Sequence, residues 1–229
     1  MRDPFVVVFA VFPDLTQLDF TGPYEVLSRL PKATTVVASV AGSTLASERG
    51  LAFETTRLAD VARCDLVCVP GGPGVTPSMN DEVFLAELRR LADGARYVTS
   101  VCTGALLLGA AGLLKGKRAT THWAYRDILP VFGAIREDAR VVRDGNLFTG
   151  GGITAGIDFG LTVAAEIAGD EVARSIQLMM EYDPQPPFEA GSPEKAPREV
   201  VERFEGALAD NLKARREAAE RAAARLSLS

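Results

Sequence analysis

The chain has 229 residues, of which 47% are hydrophobic and 24% charged, a composition typical of a globular protein rather than of a disordered, collagen-like or coiled-coil chain. Its formal net charge of -5 argues against a protein that binds nucleic acid through phosphate contacts. No apolar run reaches the roughly 18 residues of a membrane span and the N-terminus lacks a signal-peptide core, so we expect a cytoplasmic protein without a membrane partner.

Apolar runs of strand length alternate with helical periodicity along the chain. The continuous run from Phe5 to Val11 predicts a central strand buried on both faces. The Gly-Pro pair at 22–23 predicts the start of a helix, with Asp19 or Thr21 as its N-cap. The polar stretch at 41–54 predicts a small hairpin at the sheet edge. Further strands are expected at 35–40, 66–69 and 96–101, and helices at 81–91 and 104–112.

The same alternation continues to residue 182. We expect a strand end at 118–121, a helix at 123–132, a hairpin that pairs 141–142 with 147–148, and helices at 155–168 and 170–182. Strands that alternate with helices indicate an α/β fold. The sequence therefore predicts a single-domain, flavodoxin-like sandwich over residues 1–197, with a mostly parallel sheet and helices on both faces.

Residues 198–229 differ from the rest of the chain and predict one long helix. An apolar stripe at helical spacing covers its first half and consists of Val200, Val201, Phe204, Leu208 and Leu212. Beyond Leu212 the sequence is rich in alanine and carries five basic residues, Lys213, Arg215, Arg216, Arg221 and Arg225, against the acidic Glu217 and Glu220. We expect the stripe to pack on its own domain or on a dimer partner, and the charged end to be a solvated tail. A basic tail that binds anionic partners is the alternative.

A candidate nucleophile lies between the strand at 96–101 and the helix that follows it. Ser100-Val101-Cys102-Thr103-Gly104 places a cysteine between small residues, as in a nucleophile elbow, where a tight turn strains and exposes the central side chain. The N-terminus of the helix is expected to lower the pKa of the Cys102 thiol below roughly 8.5. The alternative is an ordinary buried cysteine, which is the role we expect for Cys64 and Cys68.

Other candidate groups lie in loops at the same end of the predicted sheet. The glycines at 71–74 either form a turn with unusual backbone angles or supply N–H groups that stabilise negative charge beside Cys102. Asp19 is either a helix cap or a catalytic carboxylate, whereas Glu25 fits a surface position. The single histidine, His122, either orients or deprotonates the thiol or is a hydrogen-bonded core residue. One histidine and three cysteines exclude zinc sites built on several histidines and a disulfide framework.

Five segments in this order make the chain similar to a known superfamily. They are Leu15–Pro23, Val69–Gly74, Ser100–Ala105, Arg118–Trp123 and Thr149–Asp158. Together they resemble the ThiJ/PfpI superfamily, whose fold is like that of class I glutamine amidotransferases. Within it the chain looks most like the isonitrile (isocyanide) hydratases, because of the segment from Asp19 to Pro23, the Cys-Thr pair and the run from Tyr182 to Phe188.

This resemblance implies a lyase that adds water to an isonitrile and releases an N-substituted formamide. Cys102 would attack the isonitrile carbon and Asp19 would protonate it, which leaves a thioimidate on the sulfur that water then hydrolyses. For this, Asp19 must begin protonated or share a proton with Cys102, so we expect burial to raise the pKa of its carboxyl. The resemblance assigns charge stabilisation to the N–H groups of Gly72 and Thr103, an orienting role to the Thr103 hydroxyl, and pocket positions to His122 and Ile153. It implies no metal, no cofactor, and a homodimer that acts on a small molecule.

Two alternatives remain beside the hydratase. Protease-like and glyoxalase-like members of the superfamily place His after the nucleophile or Glu in the first loop, where this chain has Thr103 and Asp19. These differences weaken, without excluding, another cysteine-dependent hydrolase or deglycase. The second alternative is a non-catalytic, ligand-sensing domain like those of AraC-type regulators. Such regulators continue into a helix-turn-helix region, whereas this chain ends at Ser229, so we expect the enzyme.

Overall fold

Strands that are buried on both faces form the centre of the computed structural model, which describes residues 4–227. The strands are β1 (Phe5–Ala10), β2 (Ala33–Ser39), β3 (Leu45–Ala46), β4 (Ala52–Phe53), β5 (Thr56–Arg57), β6 (Leu66–Val69), β7 (Tyr97–Val101), β8 (Arg118–Ala119), β9 (Ile135–Arg136), β10 (Val141–Asp144) and β11 (Leu147–Gly150). Seven of them form one sheet in the order β10-β11-β7-β6-β1-β2-β5. All neighbours in it are parallel except β10 and β11, which form the predicted hairpin. The sheet therefore has the mostly parallel arrangement that the alternation of elements predicts.

Helices cover both faces of this sheet. They are α1 (Gln17–Leu27), α2 (Val75–Ser78), α3 (Glu82–Gly94), α4 (Gly104–Ala110), α5 (Ala155–Ala168), α6 (Asp170–Met179) and α7 (Arg198–Leu226). Helix α5 packs against α1 and α6, whereas α4 packs against α3 and α7. A 3-10 helix at Trp123–Phe132, which also contacts α7, replaces the α-helix expected there. None of the helices within residues 4–227 is both long and apolar enough to cross a membrane.

The start of α1 differs from the prediction in a way that matters for the site. The helix begins at Gln17, so Asp19 lies inside its first turn and does not cap it. Pro23, which sequence patterns place at a helix start, lies within the helix. A β-carbon at Gly156 of α5 would lie 3.1 Å from the Pro23 ring, so the two helices approach closely here. Tertiary packing of α1 on α5 therefore overrides the local preference of proline.

The small elements agree with the expected positions but not always with the expected pairing. β3 and β4 form the predicted hairpin, but as a separate two-stranded sheet rather than as an edge of the main one. β8 pairs with β9 in a second small sheet. Cys64 and Cys68 are free thiols in the hydrophobic core, as predicted, and burial raises the pKa of each to about 12. These two cysteines are therefore inert packing residues.

One face of helix α7 is buried in the half that was expected to be solvated. In the first half, Val200 and Phe204 of the apolar stripe are 38% and 42% exposed. In the second half, Arg215, Ala218, Ala219 and Ala222 are buried. The prediction of a solvated charged tail is thus wrong for Arg215, whereas Lys213, Arg216 and Arg221 are exposed. The alanines carry short side chains, so α7 can pack closely against α4 and α2. Arg215 on this face reaches Gly72 and Thr76.

Candidate active site

The backbone at Cys102 is strained, as the elbow pattern predicts, but its side chain is buried rather than exposed. Cys102 has a φ of 55°, a left-handed conformation that non-glycine residues rarely adopt. Its N–H donates to the carbonyl oxygens of Gly150 and Gly151, each at 3.0 Å, and its own carbonyl accepts the Thr121 hydroxyl at 2.7 Å. A β-carbon at Gly104 would lie 2.2 Å from the Val69 carbonyl oxygen. Glycine at 104 therefore lets α4 start tightly against β6, and the surrounding strands hold the strained turn.

The carboxyl group of Asp19 is fully buried beside Cys102. Its Oδ2 accepts the N–H of Gly71 at 3.2 Å, whereas Oδ1 accepts no conventional hydrogen bond from the described residues. Burial raises the pKa of Asp19 to about 7, although the interactions with the Cys102 thiol and the Gly71 N–H oppose the rise. The nearby charge of Glu48 adds to the rise. The structure thus gives the raised carboxyl pKa that a proton-sharing pair requires.

The thiol differs from the expectation for a helix N-terminus. Burial, followed by the negative charge of Asp19, raises the pKa of Cys102 well above its ordinary value. The Thr103 N–H and the positive charge of Arg215 act in the opposite direction but do not outweigh it. The prediction of a lowered thiol pKa is therefore wrong in the resting site, because burial of the sulfur and then the neighbouring carboxylate of Asp19 disfavour a negative charge on it.

The glycine loop before α2 lies against the elbow. Gly72 has a φ of 137°, and its N–H donates to Thr103 Oγ1 at 3.1 Å. A β-carbon at Gly71 would lie 2.6 Å from the backbone nitrogen of Thr103 and 2.8 Å from Asp19 Oδ2. Only glycine fits between these two groups, so the loop brings its N–H groups directly to the carboxyl and the threonine. The Thr103 N–H interacts with the Cys102 sulfur.

His122 forms one wall of the site as a neutral ring. Its Nδ1 accepts the N–H of Ala124 at 3.3 Å, which places the single proton of the neutral ring on Nε2. Burial, and then the positive charges of Arg215 and Arg126, lower the pKa of His122 to about 4. The ring stacks on Trp123 with 5.7 Å between ring centres. A group with this pKa is a weak base at neutral pH.

A cavity of about 290 Å³ lies over the elbow and brings most of the predicted residues together. Its lining includes Gly72, Cys102, Thr103, His122 and Ile153. Asp19 lies behind this surface, against the sulfur and the glycine loop. Glu25 is exposed on the far side of α1 and takes no part. Within residues 4–227, no three His, Cys, Asp or Glu side chains cluster so as to hold a metal ion.

The structure adds residues to the cavity that sequence patterns missed. Tyr125 lines it, and the Tyr125 hydroxyl donates to Asn211 Oδ1 of α7 at 2.8 Å. Arg215, one turn further along α7, places its guanidinium 4.5 Å from the centre of the Tyr125 ring. The signal in the sequence was the i, i+4 spacing of Asn211 and Arg215 on the same face as the later alanines. From the sequence alone, this face is typical of a solvated, charged helix, so its burial could not be predicted.

The chain is similar to proteins of one family along most of its length. The sequence profile of the DJ-1/PfpI family matches residues 6–166. An isonitrile hydratase of Pseudomonas putida is 55% identical over 221 residues, which cover 96% of this chain and 97% of that protein. The crystal structure of a ThiJ/PfpI family protein from Pseudomonas syringae matches with a TM-score of 0.92 and 40% identity, over 94% of this chain and 90% of that one. The HTH-type transcriptional regulator GlxA of Rhizobium meliloti (strain 1021) is 30% identical over 157 residues, 66% of this chain and 48% of the regulator.

Proposed function

The chain belongs to the DJ-1/PfpI family, and on that premise we propose that it is an isonitrile hydratase, which converts an isonitrile and water into an N-substituted formamide. The observation that carries the proposal is the strained Cys102 at a small cavity, beside the buried carboxyl of Asp19. The Oδ1 atom of this carboxyl has no conventional hydrogen-bond partner among the described residues. A nucleophile next to a proton donor is the minimum that this addition needs. The similarity to the Pseudomonas putida hydratase supports the substrate class.

The first half of the reaction moves one proton from sulfur to carbon. The Asp19 carboxylate accepts the thiol proton as the sulfur of Cys102 forms a bond to the terminal carbon of the isonitrile. Asp19 then donates this proton to the same carbon, which leaves a neutral thioimidate on Cys102 and an ionised carboxylate. A carboxyl pKa of about 7 suits both roles, because a group that must accept and return a proton works best near the operating pH.

The second half hydrolyses the thioimidate. The Asp19 carboxylate takes a proton from a water molecule whose oxygen adds to the thioimidate carbon, and the imine nitrogen takes up a proton from Asp19. The carbon–sulfur bond then breaks as the hydroxyl becomes the formamide carbonyl, and the hydroxyl proton returns through Asp19 to the sulfur. Atoms balance as isonitrile plus water to formamide, and neither a metal nor a cofactor is used.

The surrounding groups have positioning roles in this scheme. The N–H of Thr103 stabilises negative charge on sulfur whenever the thiolate forms, both at attack and as the leaving group. Because Thr103 Oγ1 accepts the Gly72 N–H, its own proton is available to orient the water. The Gly72 N–H, which the resemblance assigns to charge stabilisation, is donated to Thr103 Oγ1 and holds that hydroxyl in place. His122 and Ile153 shape the cavity wall.

We propose further that the protein is a cytoplasmic homodimer, with residues 1–197 as its α/β domain and 198–229 as a helical extension. Exposed apolar side chains support the dimer. They lie on the first half of α7 and at the end of α6, and they include Val200, Phe204, Leu178 and Met179. The three free thiols are in keeping with a reducing compartment.

Turnover of an alkyl isonitrile tests the proposal directly. Formamide formation is followed with the wild type, Cys102→Ala, Asp19→Asn and, as a matched control, the core variant Cys64→Ala. We expect turnover by the wild type and the control, and at least a thousandfold loss, on the order of what removing a nucleophile costs, in the two site variants. No turnover by the wild type, or turnover that survives loss of Cys102, refutes the mechanism.

The same assay separates the alternatives. If the wild type binds isonitriles without turning them over, the ligand-sensing alternative is favoured, in keeping with the similarity to the transcriptional regulator GlxA. Hydrolysis of glycated or ester substrates through Cys102, without isonitrile turnover, favours another cysteine-dependent hydrolase or deglycase. If Asp19→Asn stays fully active, the proton donor is a different group.

A further inference from the structure

Helix α7 carries a buried positive charge into the cavity. Arg215 is 2% exposed. Its Nη2 donates to the Gly72 carbonyl at 2.9 Å and its Nε donates to the Thr76 hydroxyl at 3.0 Å. The guanidinium also lies over the ring of Tyr125, whose hydroxyl is held by Asn211. These contacts orient the guanidinium firmly, but every one of the partners is neutral.

The guanidinium keeps unused hydrogen-bonding capacity beside the reactive sulfur. Arginine has five N–H donors, and the two bonds above use only two of those on Arg215. No Asp or Glu among residues 4–227 forms an ion pair with it, and it lines the cavity with Cys102. A charge buried without an opposite partner is costly, so proteins usually match it with a counter-ion or a ligand. An anionic ligand is a partner that these unused donors can take.

The other charged groups at the cavity also favour an anion. Arg49 lines the exposed rim and forms no ion pair within residues 4–227. Glu48 accepts the Thr16 hydroxyl at 2.8 Å, and Asp19 lies behind the sulfur, where burial favours its protonated form. His122 is neutral near pH 7, because its pKa is about 4. The cavity surface thus presents two guanidinium groups against one carboxylate that already has a partner.

We propose that Arg215 forms a carboxylate-binding subsite that selects ligands with a carboxylate close to the group that reacts with Cys102. A guanidinium binds a carboxylate through two parallel N–H donors, which the free Nη1 and the second Nη2 hydrogen of Arg215 supply. Given the proposed function, the substrate class is a small isonitrile whose substituent carries a carboxylate. The cavity of about 290 Å³ has room for a small substituent of this kind. Arg215 lies on α7, beyond the residues that the family profile matches.

Alkylation of Cys102 by iodoacetate and by iodoacetamide tests the subsite without any turnover. The two reagents have nearly the same shape, each forms a thioether on sulfur with loss of iodide, and only iodoacetate carries a carboxylate. Rates are measured for the wild type and Arg215→Met, and peptide mass spectrometry locates the label at Cys102. We expect the iodoacetate-to-iodoacetamide rate ratio to fall at least about tenfold in Arg215→Met, the scale of one lost charged hydrogen bond.

Two further variants guard against a trivial result. Arg215→Lys keeps the charge but loses the paired donors, so its ratio should lie between those of the wild type and Arg215→Met. Arg225→Met is the matched control, because Arg225 lies on the same helix but bonds to Met79 and Asn80 away from the cavity. Its ratio should equal that of the wild type. If both reagents slow by the same factor in Arg215→Met, Arg215 acts on the sulfur alone and the subsite is refuted.

A measurement on the wild type keeps the test valid if Arg215→Met does not fold. Acetate should slow the alkylation of Cys102 by iodoacetamide, whereas acetamide at the same concentration and ionic strength should not. Equal rates with the two additives contradict the subsite. Turnover of isocyanoacetate and its ethyl ester then tests the proposed function separately. If neither is hydrated while acetate still protects Cys102, the hydratase proposal fails and the subsite stands.

Discussion

The buried carboxyl of Asp19 makes folding stability depend on pH in a direction that is opposite to that of most carboxylates. Its pKa rises from 3.8 to about 7 in the folded protein. Below pH 4 the group is protonated in both states and costs nothing. Between about pH 4 and pH 7 only the unfolded chain releases the proton, so the free energy of unfolding falls as pH rises. Above pH 7 the loss is complete.

The size of this effect follows from the two pKa values. Each pH unit between them contributes about 1.4 kcal/mol, so the full loss is about 4 kcal/mol. Asp19→Asn removes the titrating group and keeps an acceptor for the Gly71 N–H. Relative to the wild type, we therefore expect this variant to gain about 4 kcal/mol of stability between pH 4 and pH 8. The gain at pH 8 would come with loss of activity, as is common when a buried functional group is neutralised.

Urea unfolding of both proteins at several pH values measures this difference. The thiol of Cys102 stays protonated over the range, because its pKa is raised well above the ordinary value, so it adds no slope of its own. The control is Glu25→Gln, which changes an exposed carboxylate on the same helix and should follow the wild-type pH dependence. Parallel stability curves for Asp19→Asn and the wild type would refute the assignment of a raised carboxyl pKa.

Three further outcomes follow from the structure. Gly104→Ala should destabilise the fold by about 1–3 kcal/mol and reduce the activity, because the added carbon would meet the Val69 carbonyl oxygen at 2.2 Å; a thermal melt that matches the wild type contradicts this. His122→Gln should keep the activity within about tenfold of the wild-type value from pH 6 to pH 8, since a histidine with a pKa of about 4 is a weak base in this range. A hundredfold fall in kcat would instead assign a catalytic role to His122. The double variant Val200→Ser with Phe204→Ser should shift the protein from dimer to monomer in light scattering, because it removes exposed apolar area on α7; an unchanged mass places the interface elsewhere.

The proton-sharing pair has a consequence for how the nucleophile is activated. The raised thiol pKa disfavours a standing thiolate at neutral pH, so in the proposed mechanism Cys102 becomes reactive only as Asp19 takes its proton. In this mechanism the ground state therefore keeps a neutral sulfur. Substrate binding and proton transfer are then coupled within one buried pair. The positive charge of Arg215 and the N–H of Thr103 favour the transient thiolate once it forms.

Short-range patterns were sufficient for the sheet and for the elbow. The continuous apolar runs predicted β1 and β6, because strands buried on both faces favour apolar side chains along their whole length. The Ser100-to-Gly104 segment predicted the strained turn, because only small neighbours permit it. The start of α1 was not predictable, since Pro23 is accommodated inside the helix by packing against Gly156 rather than by local preference.

The sequence by itself determined the α/β fold and the tight turn at Cys102, because each depends on neighbours within one strand, turn or helix, whereas Asp19 was singled out only by the resemblance to the superfamily. Tertiary structure alone decided the protonation of that pair and the charge of the cavity. The thiol pKa follows from burial beside Asp19, 83 positions earlier in the chain, and not from its own helix. From the sequence alone, Arg215 was predicted to be a solvated tail residue. In the structure α7 packs on the glycine loop, and Arg215 donates a hydrogen bond to the carbonyl of Gly72, 143 positions earlier in the chain. Burial and long-range charge depend on distance in space, which a pattern of neighbouring residues does not contain.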